Sequence, residues 1–179
     1  MTPIDRLYSR EIYRNNWMSL REDGIRRQDG SDGSYAVVDK PAYALVIPVD
    51  GEWLHLVEQY RYPLGMRRWE FPQGTAPGLA EMAPEELAAR ELAEETGLRA
   101  GSITRLGNLD VAPGLASQRG TVFLAAELTE GEPSREHEEQ DMRTAWFRRS
   151  EFDKLVTDGE ITDAQSLAAY ALLLLHEPR

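Results

Sequence analysis

The stretch Arg90-Glu91-Leu92-Ala93-Glu94-Glu95-Thr96-Gly97-Leu98 decides the fold of the chain around it. On an α-helix, residues four positions apart lie one above the other, so Glu91 and Glu95 present two carboxylates on one face, with Glu94 beside them. The apolar residues of the stretch form a neighbouring stripe that can pack against a sheet. Gly97 suits the left-handed conformation that ends many helices. The pattern therefore predicts a helix whose acidic face lies at the rim between core and solvent.

Extended segments on both sides of this helix indicate the fold class. Apolar and alternating runs bounded by turn residues predict strands at 11–22, 35–39, 43–49, 53–58, 69–74, 103–111, 121–128 and 142–147. Helices are predicted at 84–96, at 151–158 and at 163–176, the last with Asp163 as its N-cap. Four apolar residues of the last helix share one face and are expected in the core: Leu167, Tyr170, Ala171 and Leu174. This order predicts an α/β protein with a mixed sheet between helices.

The composition and charge of the chain exclude several classes of function. Its 179 residues fit one domain with a small appendage, and the absence of cysteine excludes disulfides, thiolate zinc sites and cysteine nucleophiles. With a net charge of -11, the chain lacks the basic surface that a nucleic-acid-binding protein usually has. The longest apolar run, 168–175, is too short to cross a bilayer, and residues 1–10 do not resemble a signal peptide. We therefore expect a cytoplasmic protein with no nucleic-acid or membrane partner.

The paired carboxylates of the helix fit a divalent metal ion. Like charges four residues apart cost a helix roughly a few tenths of a kcal/mol, and a bound cation would remove that cost. Carboxylate oxygens are the ligands that Mg²⁺ prefers. Such an ion would also give an acidic protein the local positive charge that an anionic phosphate substrate needs. The alternative is a solvated acidic helix face that binds nothing, which the carboxylate spacing alone does not exclude.

More than carboxylate spacing is present, and the stretch resembles the signature of the Nudix hydrolases, Gly-x5-Glu-x7-Arg-Glu-U-x-Glu-Glu-x-Gly-U, where U is a bulky aliphatic residue. The second half matches at every fixed position: Arg90, Glu91, Leu92, Glu94, Glu95, Gly97 and Leu98. The first half departs from it. Gly74 follows Phe71-Pro72-Gln73, but the loop from Gly74 to Pro84 is two residues longer than the pattern, so the early glutamate falls at Met82. We expect the adjacent Glu81 to pair with the motif arginine instead.

The resemblance implies a set of metal ligands. Glu91 and Glu95 would bind the metal with Glu94 assisting, and the backbone carbonyl of Gln73 would add a ligand. Arg90 would orient the carboxylates. The implied cofactor is Mg²⁺, with Mn²⁺ as the other candidate, and the implied fold is the Nudix α/β/α sandwich with a mixed sheet.

The resemblance also places the catalytic base in a loop after the signature. In this chain that loop covers 133–141 and carries several acidic residues, including Glu136 and Asp141. A general base needs only hydrogen-bond reach of the attacking water, which a mobile loop can provide. We expect Glu139 to act as the base, and Glu138 if Glu139 does not. The alternative for each residue is a solvated surface charge.

Two further segments resemble the ADP-ribose pyrophosphatase branch of the family. They are Val57-Glu58-Gln59-Tyr60-Arg61-Tyr62-Pro63 with Trp69-Glu70-Phe71-Pro72, and Tyr13-Arg14-Asn15-Asn16-Trp17 near the N-terminus. In that branch an N-terminal antiparallel β unit often exchanges between the subunits of a homodimer. The resemblance therefore implies a homodimer, an N-terminal unit over 1–40 and a Nudix domain over 41–179. The implied reaction is hydrolysis of the diphosphate linkage of ADP-ribose or a related nucleoside diphosphate sugar.

The loop that selects the substrate departs from this branch. Arg61, Gln118 and Arg119 are the candidate substrate contacts. The branch carries Ser-Pro-Gly followed by an acidic residue, whereas this chain has Ala112-Pro113-Gly114 and no acid before Arg119. Because substrate choice depends on such loops, other nucleotides stay open, among them dinucleoside polyphosphates and modified nucleoside triphosphates. A nucleotide-binding module without catalysis is the alternative from another class.

Overall fold

The computed structural model describes residues 3–76 and 82–177, apart from the side chain of Glu138. Ten strands and three helices follow one another along this part of the chain. They are β1 Ile4–Arg14, β2 Ser19–Arg27, β3 Asp32–Asp39, β4 Tyr43–Asp50, β5 Trp53–Arg61, β6 Met66–Glu70, β7 Gln73–Thr75, α1 Pro84–Thr96, β8 Arg99–Asp110, β9 Arg119–Thr129, β10 Arg143–Arg148, α2 Arg149–Thr157 and α3 Ala164–His176. No helix within these described ranges has the length and hydrophobicity needed to span a bilayer.

The first three strands form a separate antiparallel sheet in the order β1-β2-β3. The single strand expected at 11–22 is wrong, because a turn at Asn15 divides that segment between β1 and β2. The Asn15 side-chain oxygen accepts hydrogen bonds from the backbone N–H groups of Trp17 and Met18, each at 2.9 Å. Such a bond offers the backbone a local turn in place of a ladder partner. The N-terminal antiparallel unit is confirmed, with three strands.

The other seven strands form one mixed sheet. Its main path runs β10-β5-β4-β9-β8, with β6 paired to β5 and β7 paired to β4. Strands β4 and β9 are parallel, and the remaining pairs are antiparallel. Because the two sides of the sheet are both covered by helices, the predicted α/β/α sandwich is confirmed.

Strand β4 shows why both faces of the sheet are buried. Tyr43, Leu45 and Ile47 point into a core shared with α2 and α3, whereas Ala44 and Val46 point into a second core shared with α1. Side chains of a strand alternate between its faces, so a strand buried on both faces reads as a continuous apolar run.

The segment expected as one extended piece at 69–74 is broken between β6 and β7. The N–H of Phe71 donates to Ser166 Oγ of α3 at 2.9 Å, and the carbonyl of Pro72 accepts from the N–H of Val46 at 3.0 Å. Proline has no N–H to give to a ladder, so the pairing is interrupted here. At this break the chain passes from β6, which pairs with β5, to β7, which pairs with β4. Gln73 is the first residue of β7.

Helix α1 begins and ends where the sequence predicts. Pro84 stands at its first turn, and Gly97 ends it with φ +79° while its N–H donates to the carbonyl of Ala93 at 3.0 Å. The buried residues of α1 include Leu87, Ala88 and Leu92, which pack on the sheet. This packing fixes which face of α1 its carboxylates occupy.

Helix α3 has its N-cap at Asp163, as predicted, but buries a different face. Its buried residues are Ser166, Ala169 and Leu173, whereas Ala171 and Leu174 are exposed. Leu167 and Tyr170 are partly buried against the core. The helix is apolar almost all round, so its hydrophobic period does not single out one face.

Candidate active site

A cleft of about 590 Å³ opens where the mixed sheet, the α1 carboxylates, the start of α3 and the N-terminal sheet meet. This volume suits a small ligand. The described residues that line it are Trp17, Lys40, Tyr43, Gln59, Arg61, Pro63, Leu64, Arg68, Glu70, Gln73, Gly74, Thr75, Glu91, Glu94, Gln118, Glu136, Glu139, Thr162, Asp163, Ala164 and Gln165. The cleft thus brings together most of the residues predicted for catalysis, metal binding and substrate binding.

Two carboxylates of α1, Glu91 and Glu94, line this cleft, whereas Glu95 is not among the lining residues. Glu91 is 7% exposed, Glu95 is fully buried and Glu94 is half-buried. The N–H of Gln73 donates to Glu95 Oε2 at 3.3 Å, which ties the β6–β7 crossing to the helix. Glu95 Oε1 is buried and has no hydrogen-bond partner among the described residues. A buried carboxylate oxygen without a partner is costly, so it indicates a ligand.

Burial raises the pKa values of these two carboxyls. The pKa of Glu91 is raised to about 8 by burial, with the charges of Glu94 and Glu139 adding to the effect. The pKa of Glu95 is raised well above its usual range by burial first, then by Glu139 and Glu91. Glu91 therefore favours protonation at neutral pH when no cation is near, burial also favours the neutral form of Glu95, and a bound cation would favour the charged forms of both.

The residues present fit a divalent cation that shares its coordination with a substrate. Within residues 3–76 and 82–177, no three acidic or imidazole side chains converge into a preformed metal cluster. Mg²⁺ usually takes one or two protein carboxylates and completes its shell with waters and substrate phosphates. The free oxygen of Glu95, the adjacent Glu91 and the nearby Gln73 match such a partial set.

Arg90 lies beside the helix carboxylates rather than in the cleft. Its Nε donates to Glu94 Oε1 at 2.9 Å, and its Nη2 lies 3.9 Å from Glu136 Oε1. This contact supports the role of orienting a carboxylate, through Glu94. The expected partner, Glu81, lies outside the described residues.

The candidate base loop reaches the cleft through Glu136 and Glu139. Glu139 ends a short 3-10 helix, His137–Glu139, and its Oε2 accepts from the N–H of Glu136 at 3.3 Å. Burial is the largest cause that raises the pKa of Glu139. The side chain of Glu138 lies outside the described part of the chain. Asp141 pairs with Arg67 at 2.6 Å and does not line the cleft.

Arg61 lines the cleft, held by a buried carboxylate. Its Nε and Nη2 donate to the two oxygens of Glu70 at 2.9 and 2.6 Å, and Glu70 is 1% exposed. Burial raises the pKa of Glu70, and the Arg61 guanidinium opposes that shift. The Gln73 amide donates to Glu70 at 3.1 Å and to Asp163 Oδ2 at 3.1 Å. A chain of hydrogen bonds thus joins Arg61 to the start of α3.

The two remaining predicted substrate contacts, Gln118 and Arg119, lie in different environments. Gln118 is buried, lines the cleft and donates from Nε2 to the carbonyl of Pro41 at 3.0 Å. Arg119 does not line the cleft: its side chain is 80% exposed and pairs with Asp110 at 3.3 Å. Successive residues of an extended chain point to opposite sides, so only one of these neighbours can face the cleft. The structure therefore does not bring Arg119 to this cleft, and its role as a substrate contact stays a prediction.

Several cleft residues were not singled out from the sequence. Trp17 lies in the turn between β1 and β2, and Lys40 and Arg68 add positive charge. Trp17 and Glu70 stand in the segments that resemble the ADP-ribose pyrophosphatase branch, which was the available signal. Asp163 gave no signal beyond helix capping, because its contact with Gln73 joins residues 90 positions apart.

The fold and this site define a member of the Nudix family. Residues 39–170 match the NUDIX domain, so the chain belongs to that family. Residues 4–38 match the nucleoside diphosphate sugar hydrolase N-terminal domain.

The similar proteins agree with this membership. The chain is 36% identical over 175 residues to the ADP-ribose pyrophosphatase of Mycobacterium tuberculosis (strain ATCC 25618 / H37Rv), covering 97% of this chain and 83% of the relative. It is 31% identical over 169 residues to the ADP-ribose pyrophosphatase of Bacillus subtilis (strain 168), covering 93% and 90%. A solved structure described as an ADP compounds hydrolase superposes with a TM-score of 0.85 at 20% identity, covering 98% and 94%, which supports the fold.

Proposed function

We propose that this protein hydrolyses the diphosphate linkage of ADP-ribose or a related nucleoside diphosphate sugar, giving a nucleoside monophosphate and a sugar phosphate. The observation that carries the proposal is the buried Glu95 oxygen, which has no partner among the described residues and lies one helical turn from Glu91, a residue that lines the same cleft as Arg61 and Glu139. The N-terminal domain match and the names of the two bacterial relatives support this substrate class.

The reaction adds water across a phosphorus anhydride. The water oxygen bonds to one phosphorus, the bond from that phosphorus to the bridging oxygen breaks, and the bridging oxygen leaves with the other phosphate. Glu139 accepts the proton of the attacking water, and burial, which raises the pKa of Glu139, makes its carboxylate a stronger base. Arg61 contacts a phosphate while Glu70 holds its guanidinium in place.

The cofactor of this proposal is Mg²⁺, with Mn²⁺ as the other candidate. Glu91 and Glu95 would hold it, Glu94 would assist and the carbonyl of Gln73 would add a ligand. When bound, such an ion neutralises phosphate charge and polarises the phosphorus. The support is the donor set itself, since oxygen ligands in a site with room for phosphate suit a hard cation.

We also propose that the chain is a cytoplasmic homodimer in which the N-terminal unit, 1–40, exchanges between subunits beside a Nudix domain, 41–179. Every residue of β1 is exposed, including Leu7, Ile12 and Tyr13. A second chain would cover the exposed apolar side chains of this edge strand. A Leu7→Lys/Ile12→Lys variant should shift the mass measured by light scattering from dimer to monomer, and a monomeric wild type would overturn this part of the proposal.

A substrate panel tests the activity. Wild-type protein is assayed on ADP-ribose, other sugar nucleotides, dinucleoside polyphosphates and nucleoside triphosphates, each with Mg²⁺ and with a chelator. Sugar nucleotides should give the highest kcat/KM, and the chelator should abolish turnover. Preference for a polyphosphate or a triphosphate would contradict the substrate class. Tight nucleotide binding with no hydrolysis across the panel would identify a binding module instead.

A further inference from the structure

The loop that carries Glu139 is tied to the C-terminal end of α1. The N–H of Ser134 donates to the carbonyl of Glu94 at 3.0 Å, and Arg135 Nε donates to the carbonyl of Glu95 at 3.1 Å. A second guanidinium nitrogen of Arg135, Nη1, donates to the carbonyl of Met142 at 2.5 Å. One arginine therefore joins the start of the loop, its end and the metal-binding helix.

These contacts provide partners for two carbonyls at the end of α1. The last carbonyls of a helix have no partner within it. Here the carbonyl of Ala93 accepts from the N–H of Gly97, which follows the helix, and the loop supplies partners for the carbonyls of Glu94 and Glu95. A positive charge at a helix C-terminus is also favourable, because the helix dipole is negative there.

The contact with Met142 closes the loop into a short arch over 136–141. Glu136 and Glu139 face the cleft from this arch. Its far end is fixed by Arg67, which donates to the carboxylate of Asp141 at 2.6 Å and to its carbonyl at 2.9 Å. The arch is thus held at both ends, while its middle carries the candidate base.

We propose that Arg135 is a positioning residue. It holds Glu139 at a fixed distance from Glu91 and Glu95, because its hydrogen bond to the carbonyl of Glu95 fixes the loop to the helix. The inference rests on the proposed function, since it assigns Arg135 a role in the same site. The backbone carbonyl that Arg135 binds belongs to the residue whose side chain is a candidate metal ligand. A shift of the loop therefore changes the distance from the base to the metal site, and a displacement of about 1 Å can cost about 100-fold in rate.

The test is a double-mutant cycle with Arg135→Met and Glu139→Gln, assayed on ADP-ribose with Mg²⁺. Arg135→Met should lower kcat about 10- to 100-fold and change KM less than about twofold. Glu139→Gln should lower kcat about 100-fold or more, as loss of a general base does. In the Glu139→Gln background, Arg135→Met should change kcat less than about twofold, because the residue acts through Glu139. If kcat of the double variant instead falls by the product of the two single losses, the proposal is overturned.

Arg143→Met is the matched control, because Arg143 lies just after the loop, is 72% exposed and reaches Glu58 only at 3.7 Å. It should leave kcat at the wild-type value. Arg135→Lys should give an intermediate kcat, since lysine reaches one carbonyl at a time.

Hydrogen exchange separates this inference from the proposed function. Amide exchange of Ser134 and Met142 should speed up in Arg135→Met and stay unchanged in Arg143→Met, with or without turnover. Unchanged exchange in Arg135→Met would show that Arg135 does not hold the loop in place, even if the enzyme is active. A Glu139→Gln variant with wild-type kcat would overturn the positioning role while leaving hydrolysis itself in place.

Discussion

The Glu91 carboxylate lies directly against the backbone of Gly74. A Cβ built on Gly74 would come within 2.2 Å of Glu91 Oε2. A side chain at this position would therefore push the Glu91 carboxylate aside, so the glycine that precedes the long loop leaves room for the carboxylate in its observed position. The contact also explains how β7 and α1 approach closely enough for Gln73 to donate to Glu95.

Gly74→Ala should displace Glu91 and lower kcat/KM on ADP-ribose at least about tenfold, while the protein still folds. A misplaced catalytic group can cost far more than that in rate. Gly107→Ala is the control, because a Cβ there would meet the Leu172 side chain at 3.1 Å and Gly107 does not line the cleft. Steady-state kinetics and circular dichroism of both variants check the prediction. Equal activity of the two variants would show that Glu91 does not need its observed position.

Asp163→Ser should separate helix capping from the contact with Gln73. Asp163 Oδ2 accepts from the N–H of Ser166 at 2.8 Å and from Gln73 Nε2 at 3.1 Å. Serine caps a helix about as well as aspartate but is too short to reach the glutamine. We expect kcat/KM to fall about fivefold, as for loss of one net hydrogen bond of about 1 kcal/mol.

Asp163→Asn is the matched control for that change, because its amide oxygen can accept the same hydrogen bonds. It should retain near wild-type kcat/KM, and both variants should melt close to the wild-type temperature. A large drop in melting temperature for Asp163→Ser would instead mean that the residue acts mainly as a cap.

The local features of this fold were predictable from the sequence. The start and end of α1, its carboxylate face and the cap of α3 depend on residues within a few positions of each other. The break at Phe71 was not predictable, because its N–H is satisfied by Ser166, 95 positions away in the chain. Arg135 gave no signal for a similar reason: its partners are backbone carbonyls, which any sequence supplies.

His55 should make the protein sensitive to mild acid. It is buried in β5 beside Trp146, and burial lowers its pKa from 6.5 to about 4. Between these two values the unfolded chain binds a proton and the folded chain does not, so stability falls as the pH drops. The free energy of unfolding should decrease by roughly 2 kcal/mol from this residue between pH 7 and pH 5.

Urea unfolding of wild type and His55→Leu at both pH values measures this contribution. The variant should lose less stability on acidification, whatever its stability at pH 7. The carboxyls with raised pKa values titrate in both proteins, so their effect cancels in the comparison. Parallel losses in the two proteins would show that His55 does not stay neutral in the folded state.

The site could be predicted only as far as the motif resemblance extends. Glu91, Glu95 and Gln73 come together as expected, because the signature fixes them on one helix and on the strand packed against it. The sequence alone could not show which of Gln118 and Arg119 faces the cleft. Which of two neighbours faces the cleft depends on the direction in which β9 enters the sheet, and long-range pairing with β4 sets that direction.

The most direct test of the central claim is Mg²⁺-dependent turnover of ADP-ribose by wild type and by Glu95→Gln, with the products separated by chromatography. Wild type should release AMP and ribose 5-phosphate only when Mg²⁺ is present. Glu95→Gln should lose more than about 100-fold of this activity, since groups that merely orient metal ligands are worth about 10- to 100-fold. Its circular dichroism should match the wild type. Unchanged turnover in Glu95→Gln, or wild-type turnover that survives the chelator, would contradict a metal site at the base of this cleft.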